Sequence, residues 1–222
     1  MLYASESSIR RSLATLEQKG IIKRSYGGAE LLLNSTNIIT LSARTHQSVK
    51  EKKEIAEKAV LLIKEGDIIF LDQSSTALYL AYKLAHKKNI TVMTNNLEII
   101  NYLAGTEVSV FSSGGKLYSP NRSCFVGNQA RCGFESIFAD FMFFSAKSIS
   151  YNGEISDCSI EEVDIRTSMF KNSAKKVFLC DSKKFGTHSA FKQCELKDID
   201  YIVLNSNMIS KELQINYYDY VC

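Results

Sequence analysis

From about residue 50 to its end, the sequence alternates short, continuous apolar runs with longer amphipathic segments, and this alternation constrains the fold more than any other feature. The apolar runs predict strands at residues 68–71, 90–93, 108–111, 141–144, 177–180 and 201–204. The amphipathic segments predict helices at residues 54–64, 76–87, 97–103 and 161–171. Strands that are apolar at every position are typical of a parallel sheet with helices on both faces. The sequence therefore predicts a doubly wound, mostly parallel α/β domain.

The size and composition are those of a globular chain with one large domain and a small appendage. Of its 222 residues, 45% are hydrophobic and 23% are charged, which excludes a disordered or fibrous protein. The net charge is only +3, so any surface that binds nucleic acid has to be local. The longest apolar runs, such as residues 141–144, are far shorter than the roughly 20 residues of a membrane-spanning helix, and we expect no membrane partner.

The N-terminal residues and the cysteines favour a cytoplasmic location. The first thirty residues carry charges throughout and lack the apolar stretch of a signal peptide. The six cysteines show neither a Cys-x-x-Cys spacing nor a nearby histidine at metal-ligand spacing. We expect reduced thiols in a cytosolic protein, with metal or disulfide roles as the weaker alternative. No cofactor is predicted.

The N-terminal residues 5–20 predict a helix with a recognisable signal at each end. Serines stand at its start as N-cap candidates, and Gly20 follows its last turn as a C-terminal cap. Ile9, Leu13 and Leu16 fall on one face and form an apolar stripe.

A short hairpin and a polar connector separate this helix from the α/β domain. Residues 21–33 form two strand-like runs about a Gly-Gly turn. The following residues are rich in Asn, Ser and Thr and mark a domain boundary. The predicted division is an N-terminal unit at residues 1–33, a linker at 34–49 and the α/β domain at 50–222.

Cationic side chains in the N-terminal unit are candidates for DNA contacts. Ser8, Arg10 and Arg11 lie near the start of the predicted helix, where side chains can reach base edges. Lys23 and Arg24 lie on the hairpin, where cations can reach phosphates. The alternative is a solvated amphipathic helix without a nucleic-acid partner.

Polar or glycine-containing turns follow four of the predicted strands. Ligands bind outside the carboxyl ends of the strands in sheets of this type. Small hydroxyl residues at a helix start, with lysines at the same edge, suit a phosphate. Ordinary helix caps and solvated lysines are the alternative. The turns are residues 72–76, Thr94 with Asn95, Gly114 with Gly115, and residues 181–186.

The N-terminal motifs resemble those of the DeoR-type bacterial transcriptional regulators. Ser-Ile-Arg-Arg-Ser-Leu at residues 8–13 is similar to the family's Thr-Ile-Arg-Arg-Asp-Leu. Leu-Glu-Gln-Lys-Gly at 16–20 and Arg-Ser-Tyr-Gly-Gly-Ala at 24–29 match the family's Leu-Glu-x-x-Gly and Arg-x-x-Gly-Gly-Ala. Further matches follow in the family's order, so that the resemblance covers nearly the whole chain.

The resemblance implies a regulator, most simply a repressor of sugar metabolism, that binds operator DNA. Because operators are often symmetric, we expect a homo-oligomer. It implies a partial winged helix-turn-helix before a sensor with the ribose-5-phosphate isomerase fold. It also implies that a phosphorylated sugar or related effector is held by Asp72, Ser75, Thr76 and Lys184. Two alternatives stay open: a sugar-phosphate isomerase or related enzyme on the same fold, and a stand-alone metabolite-binding protein.

The sequence departs from the family pattern in ways that bear on both activities. Family members carry about two further helices before the recognition helix, so we expect either a late start of this sequence or a remnant with weak DNA binding. Ser12 replaces an Asp, and Ser74 replaces a Gly, which would cost about 1 kcal/mol if the site required positive φ. The isomerases have Asp-Gly-Ala-Asp where residues 144–147 read Phe-Ser-Ala-Lys. We therefore expect no enzyme, with Glu162 a solvated helix residue rather than a catalytic one.

Overall fold

A computed structural model of the protein describes residues 5–18, 22–25, 28–31, 41–120 and 123–206. In the N-terminal unit, helix α1 (Glu6–Gln18) precedes an antiparallel hairpin of β1 (Ile22–Ser25) and β2 (Gly28–Leu31). The Ser5 hydroxyl accepts a hydrogen bond from the Ser8 amide at 3.2 Å, which confirms a serine cap at the helix start. The predicted cap at Gly20 lies outside the described residues.

The α/β domain follows the predicted alternation. Its helices are α2 (Leu41–Thr45), α3 (Val49–Ala59), α4 (Ser75–Leu84), α5 (Leu97–Leu103), α6 (Asn128–Glu135) and α7 (Ile160–Lys171). The strands of its central sheet are β3 (Ile68–Leu71), β4 (Thr91–Thr94), β5 (Ser109–Ser112), β8 (Ala139–Phe144), β11 (Ser173–Cys180) and β13 (Tyr201–Leu204). Its shorter strands are β6 (Lys116–Leu117), β7 (Phe125–Val126), β9 (Ser148–Ile149), β10 (Glu154–Asp157) and β12 (Phe191–Glu195).

The central sheet has six strands in the order β13-β11-β8-β3-β4-β5, and every neighbouring pair is parallel. This confirms the predicted doubly wound α/β fold. The chain starts in the middle at β3, runs outward to β5, and then returns to β8 on the other side of β3. The direction of winding therefore reverses between β3 and β8.

Successive residues of the central strands enter different cores, one on each face of the sheet. Ile69 and Leu71 pack with residues of α3, α4 and α5, whereas Phe70 packs with residues of α6 and α7. On β8, Phe143 packs into the same core as Ile69 and Leu71, and Phe144 packs into the same core as Phe70. Side chains alternate between faces along a strand, so burial on both faces requires the continuous apolar runs seen in the sequence.

Several elements were not predicted. Strands β9, β10 and β12 form a separate antiparallel sheet, and β6 and β7 form a small hairpin. Helix α2 lies in the segment predicted to be a linker, which is a correction. Its Leu41 is buried, and the Tyr79 hydroxyl of α4 donates a hydrogen bond to the Thr45 carbonyl at 3.1 Å. Residues 41–45 are thus packed against the α/β domain.

In the part of the chain that the structure describes, no helix is both long and apolar enough to span a membrane. Within the same residues, no disulfide joins the cysteines at 124, 132, 158, 180 and 194.

Candidate functional site

A cavity of about 340 Å³ opens where the winding of the sheet reverses. The turns after β3 and β8 both contribute to its wall, as expected for a ligand crevice in a doubly wound sheet. Polar side chains dominate the lining, and cations come from α2, α3 and the turn after β11. The lining includes Arg44, Lys52, Ser74, Ser75, Thr76, Ser145, Asp157, Glu162, Asp181, Lys183 and Lys184.

One wall of the cavity is the N-terminus of α4. Ser74 is the N-cap residue, and its hydroxyl accepts a hydrogen bond from the Ala77 amide at 3.1 Å. Its φ of −75° is ordinary, so the strain expected for a serine in place of glycine does not arise. Ser75 and Thr76 follow in the first turn and line the cavity. The first amides of a helix lack intrahelical acceptors and carry its positive partial charge, which favours an anion here.

Asp72 is fully buried behind this turn rather than in the cavity wall. Its Oδ1 accepts a hydrogen bond from the Ser74 amide at 3.0 Å, and its Oδ2 accepts one from the Ser145 amide at 3.2 Å. Asp72 therefore ties together the turns after β3 and β8. Burial raises the pKa of Asp72, and the neighbouring Arg166 guanidinium opposes that rise.

Arg166 of α7 is the buried cation that balances Asp72 and Asp157. The sequence predictions did not single it out. Only 1% of its surface is exposed. Its guanidinium donates to Asp157 at 2.6 Å, to the Ser145 carbonyl at 2.6 Å and to Asp72 at 3.3 Å. Burial alone would raise the pKa of Asp157, but Arg166 brings it below its ordinary value. An arginine in the middle of a helix gives no sequence signal of such a role.

Lys184 reaches the cavity from the turn after β11. Its Nζ donates a hydrogen bond to the Ser145 Oγ at 2.5 Å and lies 3.6 Å from an oxygen of Asp181. The side chain is 16% exposed, which leaves it accessible from the cavity. Lys184 and the α4 N-terminus thus present positive charge to the same space.

Lys52 of α3 is a second, more deeply buried cation at the cavity. Only 4% of its surface is exposed, and its Nζ donates to the Arg44 carbonyl at 2.5 Å and the Gln47 carbonyl at 2.8 Å. Burial, followed by the repulsion of Lys184, lowers the pKa of Lys52 from 10.5 to about 8. The sequence predictions did not assign this lysine to the site, because burial of its charge cannot be inferred from spacing.

Glu162 is buried in the cavity wall, which corrects the expectation of a solvated helix residue. Its Oε2 accepts a hydrogen bond from Gln73 Nε2 at 3.2 Å, and its Oε1 lies 3.9 Å from Nη2 of Arg44. Burial raises the pKa of Glu162, and Arg44 opposes the rise. Arg44 and Lys52, which the sequence predictions did not assign to the effector site, therefore share the cavity with the predicted Lys184.

The remaining predicted effector residues do not line this cavity. Thr94 accepts a hydrogen bond from the Asn96 amide at 3.0 Å, and Asn95 donates to Phe125 O at 2.9 Å. Gly114 and Gly115 both have positive φ, of 62° and 106°. A Cβ on Gly115 would approach the backbone oxygen of Val126 to 2.9 Å. The geometry gives these four residues roles in turns and close backbone packing.

The predicted DNA-contacting side chains are accessible where the structure describes them. Ser8, Arg10 and Arg11 are exposed on α1, and Arg10 pairs with Glu6 at 2.6 Å. Arg24 is exposed on β1, while the Lys23 side chain lies outside the described residues. Exposed pairs of this kind are weak and can exchange for DNA phosphates.

Comparison with known families matches the two parts of the chain separately. Residues 47–206 match the DeoR C terminal sensor domain, and residues 1–35 match the DeoR-like helix-turn-helix domain. The chain belongs to the DeoR family. The recognition helix and wing expected from the sequence correspond to the second of these matches.

Curated relatives align with nearly the whole chain. The HTH-type transcriptional regulator GolR of Listeria innocua is 33% identical over 99% of this chain and 86% of that protein. The lactose phosphotransferase system repressor of Staphylococcus epidermidis is 30% identical over 98% of this chain and 87% of that protein. The transcriptional repressor AccR of Agrobacterium fabrum is 31% identical over 91% of this chain and 79% of that protein. This DeoR-family chain is thus a DNA-binding transcriptional regulator, and these relatives bear the names of regulators rather than enzymes.

Among solved structures, ribose 5-phosphate isomerase A of Methanocaldococcus jannaschii is similar to this chain with a TM-score of 0.46 and 16% identity. The alignment covers 60% of this chain and 53% of that one, so the chain spans about half the length of that protein.

The chemistry available in the DeoR-family cavity is that of anion binding. Cationic side chains and a helix N-terminus face the same space, and the carboxylates Asp157 and Asp181 lie beside Arg166 and Lys184. Within the described residues, no group of three or more His, Cys, Asp or Glu side chains could hold a metal ion. At the end of β8 and in the turn after it, Phe144 and Lys147 stand where the resemblance to an isomerase would place acids.

Proposed function

We propose that this DeoR-family regulator binds a phosphorylated sugar or related metabolite in its cavity and that binding alters its affinity for operator DNA. Support for a repressor of sugar metabolism comes from the names of its relatives, among them the lactose phosphotransferase system repressor. It would act in the cytoplasm, where operator DNA is found. We also propose a homo-oligomer, because operators are commonly symmetric and symmetric proteins match them.

The observation that carries this proposal is the convergence of positive charge on a helix N-terminus. Ser75 and Thr76 offer two hydroxyls and free backbone amides, and Lys184 reaches the same cavity. A phosphate needs several donors at once, and a helix start with a nearby lysine supplies them. We propose that Ser75, Thr76 and Lys184 bind the phosphate, while Asp72 holds the turn in shape from behind.

A panel of phosphorylated and unphosphorylated sugars in a thermal-shift assay tests the proposal. A ligand that binds only the folded state raises the melting temperature by mass action. At least one phosphorylated sugar should raise it, while its unphosphorylated counterpart should not. Lys184→Ala should abolish that shift, because the phosphate loses its cationic partner.

The matched comparison for that variant is Lys183→Ala, a change of the same charge on the neighbouring residue, which also lines the cavity. It should retain most of the shift, since our assignment gives Lys184 and not Lys183 to the phosphate. If every phosphorylated sugar is silent while a neutral or cationic compound raises the melting temperature, the proposed ligand class is wrong.

The affinity for the phosphorylated ligand should fall about tenfold between pH 7 and pH 9. A lysine with a pKa of about 8 changes over this range from about nine-tenths to about one-tenth protonated. An anion nearby favours the charged form, so binding above pH 8 requires proton uptake by Lys52. The phosphate stays a dianion throughout because its second pKa is near 6. Asp181, Lys184, Arg44 and Glu51 surround Lys52 and supply the fixed charges.

Isothermal titration calorimetry at the two pH values measures this change, and buffers of different ionisation heat report the proton uptake. Lys52→Arg keeps its charge over the whole range and should bind nearly equally at pH 7 and pH 9. An equally steep pH dependence in Lys52→Arg would assign the effect to another group.

A further inference from the structure

The segment that joins the N-terminal unit to the α/β domain contributes a side chain to the cavity. Helix α2 comes directly after residues 32–40 and carries Arg44 in its last turn. Arg44 lines the cavity together with Lys52 of α3 and Glu162 of α7. A ligand in the cavity can therefore touch the element that continues toward the DNA-binding unit.

Arg44 has unmet hydrogen-bonding capacity at this position. Its Nε and Nη2 atoms are buried and have no hydrogen-bond partner within the described parts of the chain. The carboxylate Oε1 of Glu162 is 3.9 Å from Nη2, which is too long for a hydrogen bond. Buried donors in folded proteins normally have acceptors, so these atoms point to an additional acceptor in the cavity. The planar guanidinium suits phosphate or carboxylate oxygens.

The attachment of α2 depends on groups that face the cavity. Lys52 Nζ donates to the carbonyls of Arg44 and Gln47, at the end of α2 and in the turn after it. On the other side, the Tyr79 hydroxyl donates to the Thr45 carbonyl. A ligand that bound Arg44 would act on α2 through the Arg44 side chain. If the same ligand changed the protonation of Lys52, it would also act on the backbone at the end of α2, through the hydrogen bonds that Lys52 donates there.

We propose that Arg44 is an effector ligand that couples occupancy of the cavity to the position of α2, and through α2 to the operator affinity of the N-terminal unit. This inference rests on the proposed function. A ligand shifts a conformational equilibrium only if it binds the two states with different affinity. Arg44 supplies this difference in affinity. Its buried donors can bind the ligand only in the conformation in which α2 places Arg44 at the cavity.

The test compares Arg44→Gln with the unmodified chain. The ligand is the phosphorylated sugar with the largest thermal shift, and the DNA is a duplex selected from a random-sequence library by the unmodified chain. The dissociation constant for this duplex is measured by fluorescence anisotropy with and without saturating ligand. Arg131→Gln is the matched control, since Arg131 lies on α6 outside the cavity lining and pairs with Glu135 and Asp164.

We expect the ligand to change the DNA dissociation constant about fivefold or more in the unmodified chain and in Arg131→Gln, as is usual for allosteric coupling. In Arg44→Gln the change should be below about twofold, even at ligand concentrations that saturate the weakened site. Hydrogen exchange of the α2 amides gives a second readout, with ligand-dependent protection in the unmodified chain and none in Arg44→Gln.

The outcomes separate this inference from the proposal on which it rests. If no phosphorylated sugar binds the unmodified chain, the proposed function fails and this inference with it. If the ligand binds but Arg44→Gln retains the full change in DNA affinity, or equal protection of α2, only the role of Arg44 is overturned.

Discussion

Replacing Arg166 with methionine is expected to lower the free energy of unfolding by about 3–5 kcal/mol. The guanidinium is 1% exposed and contacts Asp72 and Asp157, which are themselves buried. Removing it leaves two buried carboxylates without a cation, and also leaves the Ser145 carbonyl without its donor. Urea unfolding followed by far-UV circular dichroism at pH 7 measures the loss, since the chain has no tryptophan for fluorescence.

Arg131→Met is the control for this prediction, because the side chains that pair with Arg131 are 44% and 48% exposed. Exposed pairs contribute about 0–1 kcal/mol, so this variant should unfold close to the unmodified chain. If Arg166→Met does not fold, Arg166→Lys keeps the charge but not the planar fork and should show a smaller loss. If Arg166→Met, or Arg166→Lys in its place, were as stable as the unmodified chain, the buried acids would not depend on Arg166.

The double variant Arg10→Ala, Arg11→Ala is expected to weaken DNA binding by about 30-fold or more. Each arginine contact to a base is worth about 1–3 kcal/mol, and both side chains are exposed on the predicted recognition helix. Fluorescence anisotropy with the selected duplex measures the change. We expect the binding of the unmodified chain to fall steeply with salt, because Arg24 and Lys23 of the hairpin would contact phosphates.

The control double variant is Lys88→Ala, Lys197→Ala, which removes the same charge from two side chains that are each 74% exposed on the α/β domain. It should leave DNA binding nearly unchanged apart from a small long-range effect of net charge. Unchanged binding in the Arg10, Arg11 variant, or an equal loss in the control, would refute the assignment of the DNA contacts.

The central sheet could be predicted because its strands are buried on both faces. Residues 68–71 and 201–204 have the bounds that the sequence predicted, and the other strands begin or end within a few residues of theirs. The small antiparallel sheet escaped prediction because its strands are short and carry polar residues such as Ser156 and Lys192. Short strands with polar residues at buried positions have neither the apolar run nor the clear alternation that identifies longer ones.

The candidate site was predictable where it lies in turns that follow strands. Ser75, Thr76 and Lys184 stand in such turns, and the topology brings them to one cavity. Arg44 and Glu162 lie on helices, where a charged residue is ordinarily solvated. The packing of α7 buries Glu162 at the cavity, and the packing of α2 leaves Arg44 half-buried there, with 26% of its side chain exposed. The expectation that ligands bind at turns after strands also selected Thr94 and Gly114. These turns follow strands on the far side of β3, and they therefore lie outside the cavity.

The most direct test of the proposed effector site is a crystal structure of the chain with the phosphorylated sugar that gives the largest thermal shift. We predict phosphate oxygens within hydrogen-bonding distance of the Ser75 and Thr76 groups at the start of α4 and of Lys184 Nζ, with Arg44 in contact with the ligand. A phosphate bound outside the cavity, or a ligand whose uncharged end occupies the α4 N-terminus, would contradict the assignment of this cavity as the phosphate site.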